Sequence, residues 1–133
     1  MRIFAHKGLW KIKKEANTLE AMNKALDAGF DLETDIRIQN GRFVIKHDPA
    51  LQDEDLLNLK EVLTLFKKYD KNYIALHFKE NGWGQSGQLS TLVNLLAPFS
   101  AQVFLFDISL NCCQELKELN KSIKTRVSVG DKK

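Results

Sequence analysis

Along this chain the hydrophobic pattern switches repeatedly between a period near two and a period near 3.6, the signature of βα units and a parallel sheet. Arg2 to His6 reads as a first strand. Leu19, Met22, Ala25 and Leu26 recur at helical spacing and predict a buried stripe on a helix running to about Ala28. Asn17-Thr18-Leu19-Glu20 resembles a capping box with Asn17 as the cap, and Gly29 supplies the left-handed residue that ends the helix. A second strand is predicted over Phe30 to Ile38. Asn40-Gly41 is then a hairpin signal, so Arg42 to His47 is expected to return as an antiparallel or irregular partner until Pro49 stops it. Leu59, Val62, Leu63 and Phe66 define a second amphipathic helix, with Lys67 and Lys68 complementing the negative end of its dipole. Tyr73 to Lys79 reads as the next strand, and the glycine-rich loop Glu80 to Gly87 should rim any site beyond it. A third helix is expected from Leu89 to Ala97. It leads to a strand from Gln102 to Ile108, whose apolar run Val103-Phe104-Leu105-Phe106 predicts burial on both faces. A short helix from Gln114 to Leu119 and a strand from Thr125 to Val129 complete the pattern.

All three histidines, His6, His47 and His77, fall at the carboxyl ends of these strands. In α/β folds those ends face the ligand crevice, so titratable groups gathered there are candidates for chemistry. Glu33 and Asp35 stand two residues apart on one strand and therefore share a face. A strand-end histidine alone is more often structural, and a lone Glu-x-Asp is ordinarily an edge feature. The combination of acids and imidazoles suggests a metal-assisted hydrolase.

The length of 133 residues predicts one domain, and 44% hydrophobic and 28% charged residues are ordinary for a soluble globular protein. A net charge of +3 is too small to argue for nucleic acid, which is not expected as a partner. Lys7, Lys11, Lys13 and Lys14 crowd the stretch after His6; they could attract an anionic substrate or form a solvated basic loop. Cys112 and Cys113 are adjacent, which suits neither an ordinary disulfide framework nor zinc-ligand spacing, and fits helix residues in a reducing compartment. With no apolar leader and no transmembrane segment in sight, a cytoplasmic protein is expected, with peripheral membrane contact left open.

The motifs, taken in order, resemble those of the glycerophosphodiester phosphodiesterases, a family of (β/α)8 barrels related to the phosphatidylinositol-specific phospholipases C. The family's His-Arg-Gly appears as His6-Lys7-Gly8, its Glu-Asn-Thr as Glu15-Ala16-Asn17-Thr18 with one residue inserted, and its Glu-x-Asp as Glu33-Thr34-Asp35. Its His-Asp appears as His47-Asp48 and its Glu-x-Lys as His77-Phe78-Lys79. The resemblance covers the chain up to Lys79 and thins beyond it.

This resemblance implies a phosphodiester hydrolase in which His6 and His47 form an acid/base pair, histidine being able to take or give a proton near neutral pH. Glu33 and Asp35 would bind a divalent cation, Mg2+ or Ca2+, that neutralises phosphoryl charge. Lys79 and Lys7 would hold the non-bridging oxygens, although Lys7 lacks the two-pronged geometry of the family's arginine. His77 departs from the pattern, since the family's third metal-binding carboxylate would stand there. As a softer ligand it would weaken the site, bring Mn2+ or Zn2+ into range, or serve a metal-free mechanism. Asn17 divides between helix cap and substrate contact, and Trp83, like Trp10, between stacking on substrate and covering the barrel mouth.

A complete barrel of this type has eight βα units and usually about 250 residues. The expectation is therefore an incomplete TIM (β/α)8-type barrel over 1–133, with about five parallel strands and intervening helices. Open strand edges invite self-association. The functional alternative to an enzyme acting on a small phosphodiester is a catalytically inactive truncated remnant or phosphate-binding module.

Overall fold

The computed structural model describes residues 4–6, 18–79, 88–106 and 108–126. Strand β1 (Phe4–His6) pairs in parallel with β2 (Asp31–Gln39), β2 with β4 (Ile74–Phe78), β4 with β5 (Val103–Phe106) and β5 with β6 (Lys124–Arg126). Strand β3 (Arg42–Ile45) pairs antiparallel with β2, off this path. Helices α1 (Leu19–Asp27), α2 (Leu59–Leu65), α3 (Gln88–Leu96) and α4 (Leu110–Leu119) fill the connections. This is the α/β pattern of five consecutive parallel strands expected of a partial barrel, with the extra hairpin strand that Asn40-Gly41 predicted. At that turn Asn40 has φ 52° and Gly41 φ 80°, the left-handed pair that a two-residue hairpin loop requires.

Alternation along the strands sorts side chains onto two faces. Leu32, Ile36, Ile74, Leu76, Phe78, Val103 and Leu105 point to the face covered by helices and join one apolar cluster. Met22, Ala25 and Leu26 of α1, Leu59, Val62 and Leu63 of α2, Leu89, Leu92 and Leu96 of α3, and Leu116 of α4 complete it. Phe43 extends the core by an edge-on contact with Phe78, their ring centroids 6.2 Å apart.

Several expectations change in detail. Thr18, not Asn17, is the cap of α1: its hydroxyl accepts from the Ala21 amide at 3.1 Å. Met22, Ala25 and Leu26 are buried as the stripe predicted, Ala21 joins them, and Leu19 lies exposed in the first turn. Glu20 then falls beyond reach of a capping box and pairs with Lys24 instead, at 3.4 Å. Helix α4 begins at Leu110, four residues before the expected Gln114, because the Ser109 hydroxyl caps it through the Cys112 amide. In β5 the burial alternates, with Val103 and Leu105 buried and Phe104 and Phe106 only partly so; the apolar run does not mark burial on both faces. Residues 127–129 of the expected last strand lie outside the described residues.

Candidate functional site

The pairing register carries the site, because residues level with one another in a parallel sheet share a face. Glu33 is level with His6 on one side and Ala75 on the other, and Asp35 is level with His77. Two residues further along β4, past its last paired residue, comes Lys79. Parity therefore brings Glu33, Asp35, His77 and Lys79 to the side of the sheet away from the helices, at the carboxyl end of β4 and the middle of β2 level with it.

Asp35 is the centre of this group. Its side chain is 1% exposed, whereas those of His77 and Lys79 are each 26% exposed. His77 Nδ1 stands 3.8 Å and Lys79 Nζ 3.9 Å from the same oxygen, Asp35 Oδ1. Both distances suit charge attraction and exceed hydrogen-bond reach. The arrangement is a buried acceptor flanked by two partly solvated nitrogen groups, which can present positive charge to an anion above it while the carboxylate holds them in place.

His47 reaches this region from β3. The chain leaves the ladder after Ile45, and the Lys46 amide donates to the Asp35 carbonyl at 3.2 Å. The following segment is fastened to the hairpin. Gln39, buried in β2, donates to the carbonyls of Leu51 and Glu54 at 2.6 and 2.9 Å, and Asn40 to that of Gln52 at 3.0 Å. Glu54 accepts from the Leu51 amide at 2.7 Å and pairs with Lys46. These contacts, the bond from Lys46 first, hold the Glu54 carboxyl below its ordinary range. His47 itself is exposed, with Nδ1 3.2 Å from Asp48 Oδ1. When Asp48 accepts from Nδ1–H, Nε2 is left as the nitrogen that exchanges a proton.

Arg37 was absent from the sequence-based candidates. It shares parity with Glu33 and Asp35, and its guanidinium donates twice to the His47 carbonyl, from Nε at 3.1 Å and Nη2 at 2.7 Å. Nη1 donates to the Lys79 carbonyl at 2.8 Å. The signal that could have found it is the simple continuation of the Glu33, Asp35 alternation.

The structure thus brings Asp35, His77 and Lys79 together, ties the backbone of His47 to that of Lys79, and sets the backbone of His6 level with Glu33. Lys7, Trp10, Asn17 and Trp83 lie outside the described residues, so the substrate contacts expected of them have no structural counterpart here. For the expected cation, the test is the donor set. Among the described residues no group of three or more His, Cys, Asp or Glu could hold a metal ion. The trio Glu33, Asp35 and His77 does not form the expected cage; the shared Asp35 oxygen already has the Lys79 ammonium beside it, and imidazole stands where a carboxylate was needed. These residues do not fit a divalent ion by themselves. No described helix is long and apolar enough to cross a membrane.

Compared by sequence, the chain matches no family model and no curated protein. Its fold has clear counterparts among solved structures. A protein from Galdieria sulphuraria assigned to the glycerophosphodiester phosphodiesterases superposes with a TM-score of 0.77 at 19% identity, over 95% of this chain and 63% of that one. A glycerophosphodiester phosphodiesterase from Parabacteroides distasonis gives 0.76 at 17% identity, over 95% and 64%. A second protein of that organism, a glycerophosphoryl diester phosphodiesterase, gives 0.73 at 13% identity, over 98% and 55%. The chain spans less than two thirds of the length of each. The family to which its motifs pointed is therefore the family whose fold it shares: that of the glycerophosphodiester phosphodiesterases, as an incomplete barrel.

Proposed function

We propose that this chain is a phosphodiester hydrolase acting on a small glycerophosphodiester or a related phosphodiester. The observation that carries this reading is the convergence of Asp35, His77 and Lys79 at the carboxyl end of β4 and the part of β2 level with it, with the His47 backbone tied to that of Lys79. Such strand ends are where this architecture places its chemistry.

In this reading Lys79 and His77, steadied by Asp35, attract the non-bridging phosphoryl oxygens and stabilise the charge that grows on them during attack. His47 exchanges a proton through Nε2. As base it takes one from water, or from a neighbouring hydroxyl of the substrate, as the new P–O bond forms. A second group, assigned to His6 by the resemblance, gives a proton to the departing alkoxide as the old P–O bond breaks. Lys7, Asn17 and Trp83 remain proposed substrate contacts on the same ground. A bound Mg2+ or Ca2+ would supply further neutralisation of phosphoryl charge. No step here is routed through it, because the described donors do not make its cage.

Hydrolysis of bis(p-nitrophenyl) phosphate and of glycerophosphocholine tests the proposal. Wild type should turn both over, and His47→Ala and Asp35→Asn should lose about 10²-fold or more of the rate. Mg2+, Ca2+, Mn2+ and EDTA arms then measure metal dependence separately. Equal background rates in all three proteins would remove the enzyme reading and leave a phosphate-binding module.

A further inference from the structure

We infer that Arg37 is a positioning residue, whose guanidinium fixes the reach of His47 over the group formed by Asp35, His77 and Lys79. The inference rests on the phosphodiesterase reading for its catalytic consequence and on geometry for its mechanical one. Strand β3 ends at Ile45 and β4 at Phe78. The carbonyls of His47 and Lys79 therefore lie past the ladder, where each must find a partner outside it. One planar cation serves both: Nε and Nη2 grip the first at 3.1 and 2.7 Å, and Nη1 takes the second at 2.8 Å. The fork geometry matters because two donors on one carbonyl and a third on another fix both distance and direction. An ammonium at the same place keeps the charge and loses the fork.

The consequence reaches the chemistry through the backbone. His47 is exposed, and the contact its side chain makes among the described residues is with neighbouring Asp48, at 3.2 Å. Where its backbone lies, beside that of Lys79, is therefore set by how the chain after Ile45 is anchored. On either side the chain is anchored by the Lys46 amide on the Asp35 carbonyl, the Lys46–Glu54 pair and the bonds of Gln39 and Asn40 to 51–54, while the Arg37 clamp grips His47 itself. Removing the clamp leaves the flanking anchors and loosens the residue that carries the imidazole. A displacement of about 1 Å in a catalytic group is enough to cost about 10²-fold in rate.

The test compares Arg37→Lys and Arg37→Ala with the wild-type 133-residue chain, using kcat and KM for bis(p-nitrophenyl) phosphate and amide hydrogen exchange along the chain. Both variants should lose about 10- to 100-fold in kcat, with KM changed by no more than about threefold. Exchange should accelerate at 46–48 and not within 22–26 of α1. Millimolar guanidinium should restore part of the kcat of Arg37→Ala. Wild-type kcat and exchange in either variant would overturn the inference, as would faster exchange everywhere, which marks a general loss of stability. A wild type without turnover would defeat the phosphodiesterase reading on its own. Exchange at 46–48 would still decide whether Arg37 holds the His47 segment.

Discussion

The two faces of the sheet differ in what their residues are for, although they alternate along the same strands. On the helix-covered face Leu32, Ile36, Ile74, Leu76 and Leu105 are all fully buried, and no polar group but Thr34 interrupts them on β2. On the other face stand Glu33, Asp35, His77, Phe104 and Phe106, of which only Asp35 is buried, between the His77 imidazole and the Lys79 ammonium. One residue of translation separates a position that stabilises the fold from one that can act on a ligand. The lesson is that parity divides stability from chemistry here, so substitutions on the two faces should fail in different ways.

Leu76→Ala should lower the unfolding free energy by about 2–5 kcal/mol, since it removes a fully buried side chain from a packed cluster. Urea denaturation checks this. His47→Ala should leave stability within about 0.5 kcal/mol, as an exposed residue whose backbone carbonyl keeps its clamp, while costing about 10²- to 10⁴-fold in turnover. A His47→Ala protein as unstable as Leu76→Ala would erase the contrast. His77→Glu sharpens it from the chemical side, by placing a second carboxylate level with Asp35 and so creating a hard-oxygen pair. Millimolar Mg2+ or Ca2+ should then raise the melting temperature of the variant more than that of wild type, and equal shifts in both would count against a site limited by His77.

Smaller effects come from titration. Glu54 sits below its ordinary value of 4.5 because it is bonded to Lys46 and to the Leu51 amide. Its contribution is present above that value and lost as the pH falls through the lowered one. Acid should therefore lower the protection of the amides at 51–54, relative to their intrinsic exchange rates, before that of α1 falls. Tyr69 is the converse case: its single phenolic proton lies within reach of both Asp27 and Asn23, and the Asp27 bond first, then burial, raises the phenol above 10.0. The tie between α1 and the turn after α2 is complete below pH 10 and weakens as the pH climbs through the raised value. Tyr69→Phe should remove that alkaline phase from a melting-temperature profile.

Much of this arrangement is legible in the sequence. The hairpin at Asn40-Gly41, the stripe of α2 and the shared face of Glu33 and Asp35 follow from turn chemistry and periodicity, which act over a few residues. What escapes is decided at longer range or between near-equal local choices. Asn17 and Thr18 are both good caps by residue type, so local preference alone does not choose between them, and the structure uses Thr18. The run from Val103 to Phe106 is apolar throughout, so its composition cannot say which face the helices cover. Arg37 makes its contacts with residues 10 and 42 positions away, a distance over which spacing alone carries no information.

The most direct test of the account is turnover of glycerophosphocholine by the wild-type chain, measured beside His47→Ala under identical buffer and metal conditions. The account predicts release of free choline or glycerol phosphate by the wild type and a rate lower by about 10²-fold or more in the variant, with both proteins equally folded. Indistinguishable rates, at the level of buffer alone or above it, would contradict it.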